Sequence, residues 1–293
     1  MDNRSDIRDF LASRRARLTP DQVGLPTSSR RRVPGLRREE VAVLAGVSTE
    51  WYTRLEKGHI AGVSEEVLDA VALALRLDDD ERTYLFDLAR AARPARRQAA
   101  RKREAPIAPA VQWMLDSITM SAAFVRNGRL DVLATNPLAR ALHAPMFASE
   151  TTTGHGRANF ARYHLLDPSS RDFFVDWDDG AASSVALLRA EAGREPYDKA
   201  LRDLVGELST LSPEFRTLWA SHDIRISHHG TKRLHHPDVG DLELTYQSVD
   251  LPTAGRAVYD ISLYTAEPGT AHEERLRLLG SLTAPDQPRP AEL

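Results

Sequence analysis

Residues 36–58, LRREEVAVLAGVSTEWYTRLEKG, leave the backbone few choices. Val41, Leu44 and Ala45 recur at helical spacing and give a first short helix one apolar stripe. Gly46 follows directly, where a left-handed turn is cheapest for a residue without Cβ. Val47 fills the corner, Ser48 is a good N-cap, and residues 49–57 read as a second helix that Gly58 ends. Two helices joined by so tight a glycine-containing turn form a unit that lays its second helix in the major groove of DNA.

The phase of that second helix sorts its side chains. Tyr52 and Leu55 share one face and are expected in the core, while Glu50, Thr53, Arg54 and Lys57 occupy the opposite face. Thr49 stands at the helix start, the part that usually meets base edges. Arg54 can form a bidentate pair with guanine O6/N7, Glu50 can accept from cytosine N4, and Thr49 or Thr53 can touch a thymine methyl. Arg37, Arg38, Ser48 and Lys57 are placed for phosphate, which positions without reading sequence. Trp51 lies on the flank, within reach of the loop at 30–35. The competing reading makes these residues the solvated face of a small helical domain.

Around this unit the first part of the chain reads as helices. Residues 5–17 carry Ile7, Phe10 and Leu11 on one stripe, Ser64 caps a helix with Val67, Leu68, Val71 and Leu75, and Asp78 with Glu81 opens a helix through Ala92. The loop at 27–34 holds Arg30, Arg31 and Arg32. It is either an arm on the DNA backbone or minor groove, with Arg31 and Arg32 on phosphate, or a solvated arginine run. Residues 94–109 read as a basic, Ala-rich linker closed by Pro106 and Pro109.

Downstream the pattern changes to α+β. Residues 122–125 and 130–134 flank Asn127-Gly128, a tight-turn signal, and Asn136-Pro137 starts a helix through Leu142. The middle, 165–221, reads as helical; strands are expected at 224–227 or slightly beyond, 242–249 and 257–265, and a last helix at 271–282. Helices on an antiparallel sheet make an α+β domain. Charge divides the same way, with net +4 over residues 1–105 and net −7 over the remainder. A basic first domain on an acidic second one fits DNA binding by one half. The absence of Cys excludes disulfides, thiolate metal sites and cysteine nucleophiles. The first residues lack a signal-peptide pattern, and a cytoplasmic location is expected.

These segments resemble a known family. Residues 5–90 are similar to the Xre-type DNA-binding domain of lambdoid-repressor kind. RRRVPGLRREEVAVLAGVSTEWYTRLEKGH together with LDVLATNPLARAL, ELSTLSPEFRTLWASHDI, GTKRLHHPDVG and LYTAEPG resembles the bacterial MmyB-like regulators. The resemblance implies an all-α helix-turn-helix domain of five helices at 1–93, a linker at 94–109, a PAS-like α+β ligand-binding domain at 110–284 and a flexible tail at 285–293. It implies a transcription regulator, with Thr49, Glu50 and Arg54 matching base contacts and Arg38 a phosphate contact. The connection at 18–34 is longer than ordinary repressors have.

Within the second domain, Phe124, Leu133, Phe174, Trp177, Trp219, Tyr246, Tyr259 and Tyr264 are candidate pocket residues, each also explicable as ordinary core. Relatives of this kind imply a fatty-acid-like or other small apolar ligand; no cofactor is expected. Five histidines fall within 222–236, where a hairpin could bring His228-His229 and His235-His236 together for a metal. Adjacent strand residues point to opposite faces, which disfavours that, and no metal site or catalytic residue is assigned. The expected protein is a homodimeric, operator-binding regulator that senses a small molecule and is not an enzyme. The alternative second domain is a protein-interaction module without ligand.

Overall fold

The computed structural model describes residues 3–26, 31, 33, 35–92, 107–224, 226–251 and 259–282. They form two compact units. The helical unit takes the described residues up to 92 together with 186–207 and 216–226; the α+β unit takes 107–185, 208–215 and the described residues from 227 onward. The linker expected at 94–109 falls outside the described residues up to 106, as do the tail at 285–293 and most of the arginine arm.

The helical unit begins with α1 (Asn3–Arg17), α2 (Arg38–Leu44), α3 (Thr49–Glu56), α4 (Glu65–Ala74) and α5 (Asp79–Ala91), the five helices expected. Ile7, Phe10 and Leu11 of α1 pack with Val41, Ala42, Tyr52, Leu55, Leu68, Val71, Tyr84, Leu85 and Leu88 in one core. The α1 stripe then continues into a cation. Arg14, one turn beyond Phe10 and Leu11, is 2% exposed. Its guanidinium stacks over the Phe10 ring at 4.9 Å, pairs with Glu81 at 2.6 Å, and Nη2 donates to the His222 carbonyl at 2.5 Å. Asp78 and Glu81 also form the capping box that opens α5. After α1 the chain makes a short 3-10 turn, Asp21–Val23, and returns beside α1, where the Leu36 N–H donates to the Arg15 carbonyl at 3.1 Å.

The second unit contributes α6 (Pro109–Ser117), β1 (Ala122–Asn127), β2 (Val132–Thr135), α7 (Pro137–Leu142), α8 (Ala144–Ala148), α9 (Glu150–Thr153), α10 (Phe160–Leu166) and α11 (Ser170–Phe173). The chain continues through α12 (Trp177–Arg194), α13 (Lys199–Leu211), α14 (Pro213–Ala220), β3 (His229–His236), β4 (Gly240–Leu251), β5 (Tyr259–Thr265) and α15 (Ala271–Leu282). The sheet order is β2-β1-β5-β4-β3, antiparallel throughout. This is the PAS-like α+β architecture expected.

Strand parity divides the sheet's side chains between two clusters. Ala122, Phe124, Leu242, Leu244 and Tyr264 face α7, α10, α11 and α15, while Ala123, Val125, Leu133, Tyr259 and Ile261 pack with Leu115 of α6 on the other side. The turn after β1 differs from the two-residue hairpin expected. Asn127 Oδ1 accepts from the N–H groups of Arg129 and Asp131, and Leu130 rather than Gly128 takes the left-handed conformation, φ +67°. Asn136, buried as the N-cap of α7, satisfies its whole amide: Oδ1 accepts from the N–H groups of Ala123 and Ala139, and Nδ2 donates to the carbonyls of Ile118 and Ser121. Among the described residues no strand covers 224–227, and the strand expected there or slightly beyond lies later. Ile224 plugs the helical core instead, and the strand starts at His229.

Candidate functional site

Ser48 caps α3 by accepting from the Trp51 N–H at 3.1 Å, and Gly46 takes φ +65° in the turn before it. Tyr52 and Leu55 are buried, so the helix is held from beneath. Ser48, Thr49, Glu50, Arg54 and Lys57 are exposed and Thr53 half-buried. Among the described residues no ion pair or side-chain hydrogen bond engages Glu50, Arg54 or Lys57, which leaves their charges facing solvent. Trp51 lines a shallow groove with Arg54, His59, residues 61–64 and Val67; the loop expected beside it at 30–35 lies partly outside the described residues.

The flanking cations are arranged around two carboxylates. Glu56 is 1% exposed and accepts from Arg15 on one side and Arg38 on the other, each at 2.9 Å. Burial pushes its carboxyl up, but the hydrogen bonds from Arg15 and Arg38 more than offset this and hold it below its ordinary value. Two guanidinium groups against one carboxylate leave a net positive charge, and Arg38, 47% exposed, is the member that reaches solvent. Arg31 is pinned instead. It pairs with Glu40 at 2.6 Å and donates to the Gly35 carbonyl at 2.7 Å, so its guanidinium closes the loop. Arg31 holds the Glu40 carboxyl down at about 2. Arg37, half-buried, pairs with the exposed Glu39 at 3.2 Å, and Arg32 falls outside the described residues.

The eight candidate pocket residues do not form one group. Phe124, Tyr264 and Tyr246 come together, with ring centroids at 5.7 Å and 6.0 Å along the series. Phe174 stacks on His164 at 4.5 Å, and Trp177 packs on the same imidazole at 5.1 Å. Leu133 and Tyr259 lie on the opposite face of the sheet, because odd and even strand positions diverge. Trp219 belongs to the helical unit, where Arg189 stacks over its ring at 4.1 Å.

The aromatic group has a centre that the sequence did not reveal. His143, between α7 and α8, is 2% exposed and surrounded by Phe124, Phe160, Phe173 and Tyr264 at 5.6, 5.1, 6.2 and 5.7 Å between centroids. Burial, with a smaller contribution from His236, lowers its pKa to about 3, so the ring is neutral. The only advance signal was a histidine directly after a strongly apolar short helix. The two His pairs do not meet, because they sit towards opposite ends of the single strand β3, about 20 Å apart at strand rise. Among the described residues no group of three or more His, Asp or Glu side chains is placed to hold a metal ion, and no helix is long and apolar enough to cross a membrane.

Two family profiles match the chain. One, described as the MmyB-like transcription regulator ligand binding domain, covers residues 107–279. The other, described as a helix-turn-helix domain, covers residues 6–85. No curated protein matches.

Proposed function

The chain belongs to the MmyB-like transcription regulators, DNA-binding proteins with a ligand-binding domain, and on that premise we propose that α3 reads an operator as one head of a homodimer. The observation carrying this reading is the outward face of α3, whose charged groups Glu50, Arg54 and Lys57 are unpaired among the described residues while its other face is buried. Arg54 pairs with guanine, Glu50 accepts from cytosine, and Thr49 or Thr53 meets a thymine methyl. Arg37, Arg38, Ser48 and Lys57 fix the register on phosphate. One head carries little excess charge, so useful affinity requires two heads on half-sites about 34 Å apart.

The α+β unit takes a small, largely apolar, fatty-acid-like effector. Residues 186–207 and 216–226 lie inside the ligand-binding match yet pack in the helical unit. An effector that favours one arrangement of α12, α13 and α14 therefore biases the reading head.

Arg54→Ala should cost about 1–3 kcal/mol of operator binding and relax preference at one base pair. Arg38→Ala should weaken all sequences about equally and flatten the salt dependence. Titrations against operator and random duplex across a salt series check both; equal losses on the two duplexes for Arg54→Ala overturn the base-reading role. Native mass spectrometry of the full chain should show a dimer that retains a small molecule. A bare monomer would sink both the assembly and the sensing reading.

A further inference from the structure

We propose that His143 is the polar anchor of the ligand site in the α+β unit, and that the ligand is a largely apolar molecule presenting one uncharged hydrogen-bonding group to the imidazole. This rests on the ligand-binding reading and adds a location and a chemistry to it. The carrying observation is that both ring nitrogens of His143 are buried without a hydrogen-bond partner. Such groups are rare in folded proteins because each forfeits its hydration without replacement.

The same unit satisfies its other buried histidines. His164 Nε2 meets the Trp177 carbonyl at 2.7 Å; His236 Nε2 meets the Ala141 carbonyl, and its Nδ1 accepts from the Asp238 N–H, both at 3.2 Å. His143 is also not a flexible side chain that has turned inward. Its N–H donates to the Ala139 carbonyl and its carbonyl accepts from the Phe147 N–H, each at 3.1 Å, which fixes the backbone at the junction of α7 and α8. A leucine or phenylalanine would fill this space between Phe124, Phe160, Phe173 and Tyr264 without leaving polar atoms stranded.

The surroundings also select the ligand. Among the described residues the imidazole is ringed by Phe124, Phe160, Phe173 and Tyr264, and no hydrogen bond or ion pair brings a carboxylate or cation to it to balance an ionised head group. A neutral imidazole donates at one nitrogen and accepts at the other. A hydroxyl, a protonated carboxyl or an amide carries both a donor and an acceptor and meets whichever ring nitrogen faces it; a ketone only accepts. The surrounding rings take the apolar body, and Phe160 and Tyr264 among them are only partly buried.

The test uses the full chain with octan-1-ol and, at the same chain length, octanoate at neutral pH. Octan-1-ol should raise the melting temperature of the unaltered protein and move the His143 ring nitrogen resonances. His143→Phe, and His143→Leu should the larger ring not fit, should be more stable than the parent alone and bind octan-1-ol about tenfold more weakly. Three results overturn the anchor while leaving ligand sensing intact: equal octan-1-ol affinity in parent and variants, tighter binding of octanoate, or destabilisation by both substitutions. No response to either probe, with no small molecule retained in the native mass spectrum, overturns the anchor and the sensing reading together.

Discussion

A Glu56→Leu variant should lose about 3 kcal/mol of stability, and with it the placement of α3. The carboxylate is buried and accepts from Arg15 and Arg38, and Arg15 is only 17% exposed. Removing it leaves a mostly buried guanidinium whose remaining partner is the Leu36 carbonyl. Adding Arg15→Met should recover part of the loss, since an apolar pair of similar volume often replaces a buried ion pair without penalty. The substitution also adds one unit of positive charge near the DNA face, so weaker DNA binding would report a misplaced helix rather than lost attraction. Because the folded carboxyl of Glu56 sits below its ordinary 4.5, its stabilisation is present above that value and is lost as pH falls through the folded value. Glu40, held at about 2 by Arg31, has the same sign. Acid titration should therefore loosen the parent progressively, and the Glu56→Leu variant should lose less over the same range. A denaturant-measured loss under about 1 kcal/mol would mean that the cluster behaves as a surface pair.

Helix α3 was legible because its signals are local. A turn glycine, a capping serine and two apolar residues three apart specify α3 without reference to the rest of the chain. Glu56 was not legible. Its burial depends on guanidinium groups that arrive from α1 and α2, which periodicity does not report. Arg14 escaped for the same reason: it continues the apolar stripe of α1 in spacing but not in chemistry, and its partner His222 lies 208 residues away. Residues 224–227 suggested a strand because Ile224 and Ile226 alternate, yet Ile224 fills the helical core and the Ile226 N–H is held by Asp80. The true β3, HGTKRLHH, buries only Leu234 and His236 and so carries little apolar pattern. In the α+β unit the candidate pocket residues were chosen on composition, which could not assign Leu133 and Tyr259 to a face, because that follows from register.

Gly193→Ala should destabilise the protein by about 1–3 kcal/mol, against the expectation for a helix interior. Alanine is worth about 1 kcal/mol more than glycine in an isolated helix, so α12 taken alone would gain. In the folded chain a Cβ at this position would stand 2.4 Å from Cε2 and 2.7 Å from Cδ2 of Tyr84. Tyr84 cannot swing away, because it is buried and meets Phe10 edge-on at 5.1 Å. The second half of α12 must shift instead. That stretch carries Arg189, which stacks over Trp219, donates to its carbonyl and meets His222 Nδ1 at 3.1 Å. The His222 carbonyl in turn holds Arg14, so the displacement reaches α1 and α5 through a continuous set of bonds. Operator affinity in the absence of effector should change little, because Arg54 and its neighbours on α3 are untouched. The effector-dependent change in affinity should fall, since the sequence matched as the ligand-binding domain includes the part of α12 that packs in the helical unit. Shortening the ring with Tyr84→Leu in the same chain should restore part of the lost stability relative to the sum of the single effects. Thermal melts and amide exchange across α5 and α12 read the first claim, and operator titrations with and without octan-1-ol read the second. A Gly193→Ala protein that melts higher than its parent would show that the close approach of α12 to Tyr84 is not a constraint, and the proposed route of coupling would fail with it.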